Sequence, residues 1–159
     1  MHIRVAIVED DADIRKLTAG LLNFYPDIEC VGAFGSAEEF LDNLPTLQPD
    51  VVLMDIGLPG MDGIACVDTC KGTGIDPESA GCKAEFIMFT NHTDSREVFE
   101  ALKAGATGYV LKNGTPERLA DSIRDVMNGG SPMSRQISRM VTAFFRNEDT
   151  EPPEAIMPE

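Results

Sequence analysis

No apolar run in the chain approaches the roughly 18 residues that a membrane-spanning helix requires. The opening MHIRVAIVEDD turns acidic where a signal peptide would need a long apolar core and a cleavage site. The sequence therefore reads as a cytoplasmic protein with no membrane partner. Basic side chains are also scarce: 13 Lys and Arg stand against 27 Asp and Glu, for a formal charge of -14. Such a surface repels nucleic acid and anionic membranes, so any DNA binding has to come from somewhere else. Cysteine is sparse and irregularly placed, at Cys30, Cys66, Cys70 and Cys82. That suits free thiols in a reducing compartment better than a disulfide framework. Cys66, Cys70 and Cys82 could in principle approach one metal, but no further cysteine or histidine stands at a suggestive spacing, and they read as small core or loop residues.

What is present is 159 residues with 43% hydrophobic content, enough for one domain of ordinary size and a short appendage. The stretch VVLMDIGLPGMDG, Val51 to Gly63, stands out. Four apolar residues run without alternation into Asp55, and Gly57, Pro59, Gly60 and Gly63 follow. An unbroken run of this kind fits a strand buried on both faces of a parallel sheet, ended abruptly by turn residues. Asp55 then falls at the carboxyl end of an interior strand, where open α/β sheets place their chemistry. A turn-capping aspartate is the competing reading of the stretch alone.

The same pattern recurs along the chain. Ile3 to Val8 runs into Glu9, Asp10 and Asp11; a strand is expected around Glu29 to Phe34; Phe86 to Phe89 ends at Thr90; and Gly108 to Leu111 ends at Lys112. Helices are expected between these runs. One covers Asp13 to Phe24, with Ile14, Leu17, Leu21 and Leu22 at helical spacing. Another opens on a Ser36/Glu39 capping box and runs to about Leu44, with Pro45 and Pro49 bracketing the connection that follows. Further helices are expected over Asp62 to Lys71, Ser95 to Ala104 with Gly105 as the stop, and from Thr115 and Pro116 to the Gly129–Gly130 pair. The Gly-rich run Lys71 to Ala84 is long for a connection in such a unit and reads as a surface loop. Five strands alternating with five helices predict a doubly wound parallel sheet. Ser134 to Arg146 adds an amphipathic sixth helix, and NEDTEPPEAIMPE is acidic, proline-containing and linker-like. The expected division is 1–130 as the domain, 131–147 as a linker helix and 148–159 as a tail.

If these strands are parallel, Glu9, Asp10, Asp55, Thr90 and Lys112 lie at one edge of the sheet. Crowded carboxylates repel unless a hard cation sits among them, and Mg2+ favours such an oxygen site while sharing oxygens with a phosphoryl group. An aspartate held there is a competent nucleophile. Lys112 and Thr90 can neutralise and hydrogen-bond the transferred group.

The residues VAIVEDDADIR, VVLMDIGLPGMDG, FIMFTN and GYVLK resemble the receiver domain of bacterial two-component response regulators, over about Met1 to Gly130. ALKAGATGYVLKNGTPERLADSIRDVMNGG is further similar to the NarL/FixJ (LuxR-type) subfamily. The resemblance implies a flavodoxin-like (CheY-like) five-stranded sheet in the order 2-1-3-4-5. It implies Asp55 as the phosphoacceptor, with Asp10 and Glu9 as the acid pocket for Mg2+, Asp10 the more direct ligand, and the Gly57 carbonyl completing the metal site. Thr90 and Tyr109 become a switch pair and Lys112 the phosphoryl-binding lysine. A sensor histidine kinase is the implied donor. Phosphorylation would draw Thr90 inward, Tyr109 would rotate into the vacated space, and the chain could form a homodimer on phosphorylation. The role is that of a switch and not an enzyme.

Three departures are visible. Asn113 stands where many receivers carry proline, Asn91 is larger than the residue common beside the switch threonine, and the Lys71 to Ala84 loop is long. Relatives carry a helix-turn-helix domain after the linker, and the expectation is a fragment of a transcription regulator whose DNA-binding domain is absent from this chain. A stand-alone receiver acting by protein–protein contact is the alternative. A Mg2+-dependent aspartyl phosphohydrolase is disfavoured because Gly57 stands where its second acid is needed. A flavin or nucleotide module is disfavoured because acids, not glycines, follow the first strand.

Overall fold

Each apolar run that ends in a polar residue becomes a strand in the computed structural model, which describes residues 2–72 and 82–146. The strands are β1 (Ile3–Val8), β2 (Ile28–Phe34), β3 (Val51–Met54), β4 (Glu85–Thr90) and β5 (Gly108–Leu111). All pair in parallel in the order β2-β1-β3-β4-β5. This is the doubly wound order that the resemblance implies. The sheet is regular except between Val5 and Ala6, where the register against β2 shifts by one residue.

Among the described residues, six helices connect and follow these strands: α1 (Ala12–Asn23), α2 (Ala37–Leu47), α3 (Gly63–Lys71), α4 (Ser95–Ala104), α5 (Pro116–Met127) and α6 (Arg135–Arg146). The first five each start on a side chain suited to the task. Asp11, Ser36, Asp62, Asp94 and Thr115 are extended at the cap and accept from backbone N–H groups of the first turn. The Ser36/Glu39 box is only half of the expected form, because the Glu39 carboxylate accepts from Gly35 N rather than from Ser36 N. α2 also runs beyond Leu44. Pro45 lies inside its last turn with an exposed ring, and the helix closes on Gln48, which is left-handed at φ 46° and whose N–H bonds the Leu44 carbonyl. The long loop and the tail fall largely or wholly outside the described residues.

Strand alternation divides the core in two. Ala6, Val8, Val52, Met54, Phe86, Met88, Tyr109 and Leu111 face α2, α3, α4 and Ile137 of α6. Ile3, Val5, Ile7, Val51, Leu53, Ile87 and Val110 face Leu22 of α1 and the Leu119, Ala120, Ile123 and Val126 stripe of α5. Cys66 and Cys70 are buried among the first group and Cys82 packs against it, as the sequence reading has them. The hydrogen bond with the neighbouring Cys66 thiol, together with burial, raises Cys70 to about 12, so it is a protonated thiol at neutral pH. Among the described residues no helix is long and apolar enough to cross a membrane.

Phe40 is fully buried, with its ring 5.9 Å from Phe34 and 6.3 Å from Phe86, both edge-on. Phe40→Ala should therefore cost about 3–5 kcal/mol, read as a lowered urea midpoint with the slope unchanged. A second anchor lies on the opposite face. Arg124 donates to both Asp27 oxygens at 2.8 and 3.0 Å and lies over the Tyr25 ring, tying α5 to the entry of β2. The Arg124 hydrogen bond holds the Asp27 carboxyl below its ordinary value. A depressed folded pKa contributes stability above the unfolded value, and that stability is lost as pH falls through the folded one. Asp27→Asn should lower the urea midpoint at pH 7, and the gap from the parent should narrow below about pH 4.

Candidate functional site

Parallel pairing aligns the strand ends. Val8 lies opposite Met54, Met54 opposite Met88, and Thr90 opposite Leu111. The residues that follow continue the ladder, with Glu9 N bonding Phe34 O, Asp55 N bonding Val8 O and Lys112 N bonding Thr90 O at 2.9–3.1 Å. Backbone pairing thus carries Glu9, Asp55 and Lys112 to the same edge, one residue beyond their strands.

The side chains converge there. Lys112 Nζ donates to Asp55 Oδ2 at 2.8 Å and also pairs with Glu9 Oε1. The second Asp55 oxygen accepts from Ile56 N at 2.8 Å, and the second Glu9 oxygen accepts from Asp11 N at 3.1 Å. Glu9 and Asp55 are buried, whereas Asp10 is exposed at the rim. Burial pushes Glu9 up, and its bond to Lys112 only partly offsets this. Burial also acts to raise Asp55, but hydrogen bonds from Lys112, Thr90 and Ile56 outweigh it and hold the carboxyl below its ordinary value. Lys112 is raised, because its two carboxylate partners overcome the penalty of burying an ammonium.

Glu9, Asp10 and Asp55 each offer an oxygen within 4.8 Å of the others, the one group among the described residues able to surround a single metal ion. Three carboxylates with oxygen-only donors suit a hard divalent cation such as Mg2+. Cys70 adjoins both Cys66 and Cys82, but the three thiols do not all lie close enough to one another to share an ion. Asp11 stands apart from the site, since its carboxylate caps α1.

Thr90 is fully buried and hydrogen-bonded to Asp55, and its hydroxyl also accepts from His92 N at 3.3 Å. Tyr109 is fully buried as well, with its phenol donating to the His92 carbonyl at 2.8 Å. Both residues already occupy the inward positions that the sequence reading reserves for the phosphorylated state. The physical reason is local. The Asp55 carboxylate is itself an acceptor for Thr90, and the His92 carbonyl gives the buried phenol a partner. Asn91 is exposed and lines an open groove with Lys112, Leu17 and Leu119.

Three contributors had little signal in the sequence. Arg15 donates from Nη1 to the Glu9 carbonyl at 2.7 Å, fixing the acidic turn from one turn into α1. His92 stands beside Gly57, where an added Cβ would lie 3.3 Å from its Nε2, and its Nδ1 pairs with Glu97 at 2.9 Å. Gly63 is the glycine whose smallness matters most: any Cβ there would collide with the Asp55 carbonyl oxygen, while Gly63 N bonds Ile56 O at 3.0 Å. Only the position of Gly63 at the start of α3, eight residues after Asp55, could have hinted at this return of the chain.

Residues 5–124 match the response regulator receiver domain family. The chain is 36% identical over 127 residues to the transcriptional regulatory protein DesR of Bacillus subtilis, covering 80% of this chain and 59% of that protein. It is 32% identical over 146 residues to LiaR of the same organism, covering 91% and 65%. The chain thus spans about three-fifths of the length of these relatives. Among solved structures, a LuxR-family two-component response regulator from Aurantimonas sp. SI85-9A1 superposes with a TM-score of 0.82 at 26% identity, over 92% of this chain and 100% of that one. The parallel sheet in its 2-1-3-4-5 order, the acidic edge and these likenesses agree: the chain belongs to the response regulator receiver domain family, among its NarL/LuxR-type members.

Proposed function

We propose that Asp55 accepts a phosphoryl group from a phosphohistidine of a sensor histidine kinase, and that the resulting acyl phosphate sets a conformational switch. The observation that carries this reading is the buried Asp55 carboxylate at the sheet edge, bonded to Lys112 Nζ at 2.8 Å and sharing that ammonium with Glu9. Attack by an Asp55 oxygen forms the new P–O bond as the P–N bond to imidazole breaks, and the imidazole leaves on the kinase. Lys112, released from the carboxylate, binds a phosphoryl oxygen, and the Thr90 hydroxyl donates to another. Asp10, Asp55, Glu9 and the Gly57 carbonyl would hold Mg2+, which when bound supplies charge neutralisation to the acids and the transferred group. Asn91 at the rim bounds the approach of donor and water. Hydrolysis of the acyl phosphate resets Asp55, so the chain acts as a switch whose only chemistry is on itself.

DesR and LiaR are both named transcriptional regulatory proteins, and this chain aligns with part of each. On that support the output is control of transcription through a DNA-binding helix-turn-helix domain in a longer protein, with residues 1–130 as receiver, 131–147 as linker helix and 148–159 as tail. Homodimerisation on phosphorylation and a cytoplasmic location belong to the same reading.

Mass spectrometry after incubation with Mg2+ and acetyl phosphate should show one added phosphoryl group on the parent protein and none on Asp55→Asn. Labelling that survives this substitution, or that never appears, would overturn the proposal. Lys112→Met should keep the acceptor but slow its phosphorylation by about 10²-fold, as expected for removing one donor to a developing anionic charge. An unchanged rate would remove Lys112 from the chemistry.

A further inference from the structure

The chain after Gly130 returns to the edge of the sheet. Pro132 and Ser134 flank Met133, which forms a parallel bridge with Tyr109. Tyr109 N donates to Pro132 O at 2.9 Å, Ser134 N donates to Tyr109 O at 3.0 Å, and Leu111 N donates to the Ser134 hydroxyl at 2.8 Å. These bonds occupy the free edge of β5 with a short strap. α6 then packs back on the sheet face that carries Tyr109. Ile137 is fully buried in the same core group, Met140 and Val141 pack against it, and the Phe144 ring lies 4.7 Å from Phe99 of α4.

The strap is bonded to the backbone of the residue whose side chain reads the site. Thr90 bonds Asp55 and the His92 amide, the His92 carbonyl accepts from the Tyr109 phenol, and both main-chain groups of Tyr109 are bonded to the strap. The fully inward Tyr109 and the docked linker are seen together. Turning the Tyr109 ring out would break its bond to the His92 carbonyl and open the core group in which Ile137 of α6 is buried and against which Met133 of the strap packs.

We infer that the Pro132–Ser134 strap and α6 form a latch on β5, docked when Tyr109 is inward and loosened when it is not, so that occupancy of Asp55 and docking of the linker stabilise one another. The inference rests on the phosphoacceptor reading of Asp55. It adds where the signal goes: along the chain into the segment that follows the receiver. Linkage makes the coupling reciprocal, so a linker that cannot dock must weaken ligand binding at Asp55 by the factor through which the ligand tightens docking.

The full chain offers a direct test by amide hydrogen exchange with and without Mg2+ and beryllofluoride. Bound beryllofluoride should slow exchange several-fold at the Tyr109, Leu111 and Ser134 amides and through α6, and Asp55→Asn should abolish the effect. Ile137→Ser, which undocks α6, and the milder Ser134→Ala, which removes one strap bond, should both weaken beryllofluoride binding, the first several-fold and the second less. Asp55-dependent binding with unchanged or faster exchange at those amides overturns the latch and leaves the phosphoacceptor reading intact, as does parent-like affinity in both variants. Absence of any Asp55-dependent binding overturns the phosphoacceptor reading itself, and the coupling with it.

Discussion

Two carboxylates at the ends of neighbouring parallel strands repel each other, and burying them together is tolerable only because Lys112 reaches across from β5 to neutralise both. The rest of the edge follows from that arrangement. Glu9 and Asp55 are brought side by side by backbone pairing of β1 with β3, which lie three and two strands away from the β5 that carries the lysine. The ammonium is mostly shielded from water, so its pairing is stronger than a surface ion pair would be, and removing it would strand two buried charges. The same feature makes the cluster responsive. On the proposed reading, a phosphoryl group on Asp55 would change what the one lysine has to balance, and the charges around it would redistribute.

Precision at this edge comes from backbone as much as from side chains. Arg15 grips the Glu9 carbonyl from α1, Asp11 closes the acidic turn, and the start of α3 presses Gly63 against the carbonyl of Asp55 itself. Asp55 is thereby pinned at both carboxylate oxygens and at its main chain, which limits the orientations available to it. Asp10 differs in being exposed, so a cation entering the proposed site with its waters would meet it first.

Much of this was legible in the sequence because β1, β3, β4 and β5 are short, largely apolar and ended by a polar residue. Those ends give both the strand boundaries and the site in one reading, and Asp55, Glu9, Asp10, Thr90 and Lys112 all lie where parallel pairing requires. The helix starts at Ser36 and Thr115 were equally local signals. What local signals did not carry was set by packing over distance. Pro45 looked like a break, yet α2 continues through it because its ring faces outward and Leu44 and Leu47 are held against the core. Arg15, Gly63 and His92 act through contacts with chain segments that no short pattern joins to them. Tyr109 could be named but not oriented, since its inward pose depends on a carbonyl seventeen residues earlier.

The strap at Pro132–Ser134 has a consequence for the integrity of the sheet as a surface. An open parallel sheet has two borders of unpaired amides and carbonyls, each able to recruit a foreign strand. Here the β5 border is sealed by the protein's own chain, while β2 forms the other border and bears the register shift opposite Val5 and Ala6. A polypeptide cut at Gly130 would keep all five strands and the acidic edge, yet expose a bare, largely apolar border at β5. Self-association of such a piece would then report on its severed margin and not on any physiological assembly.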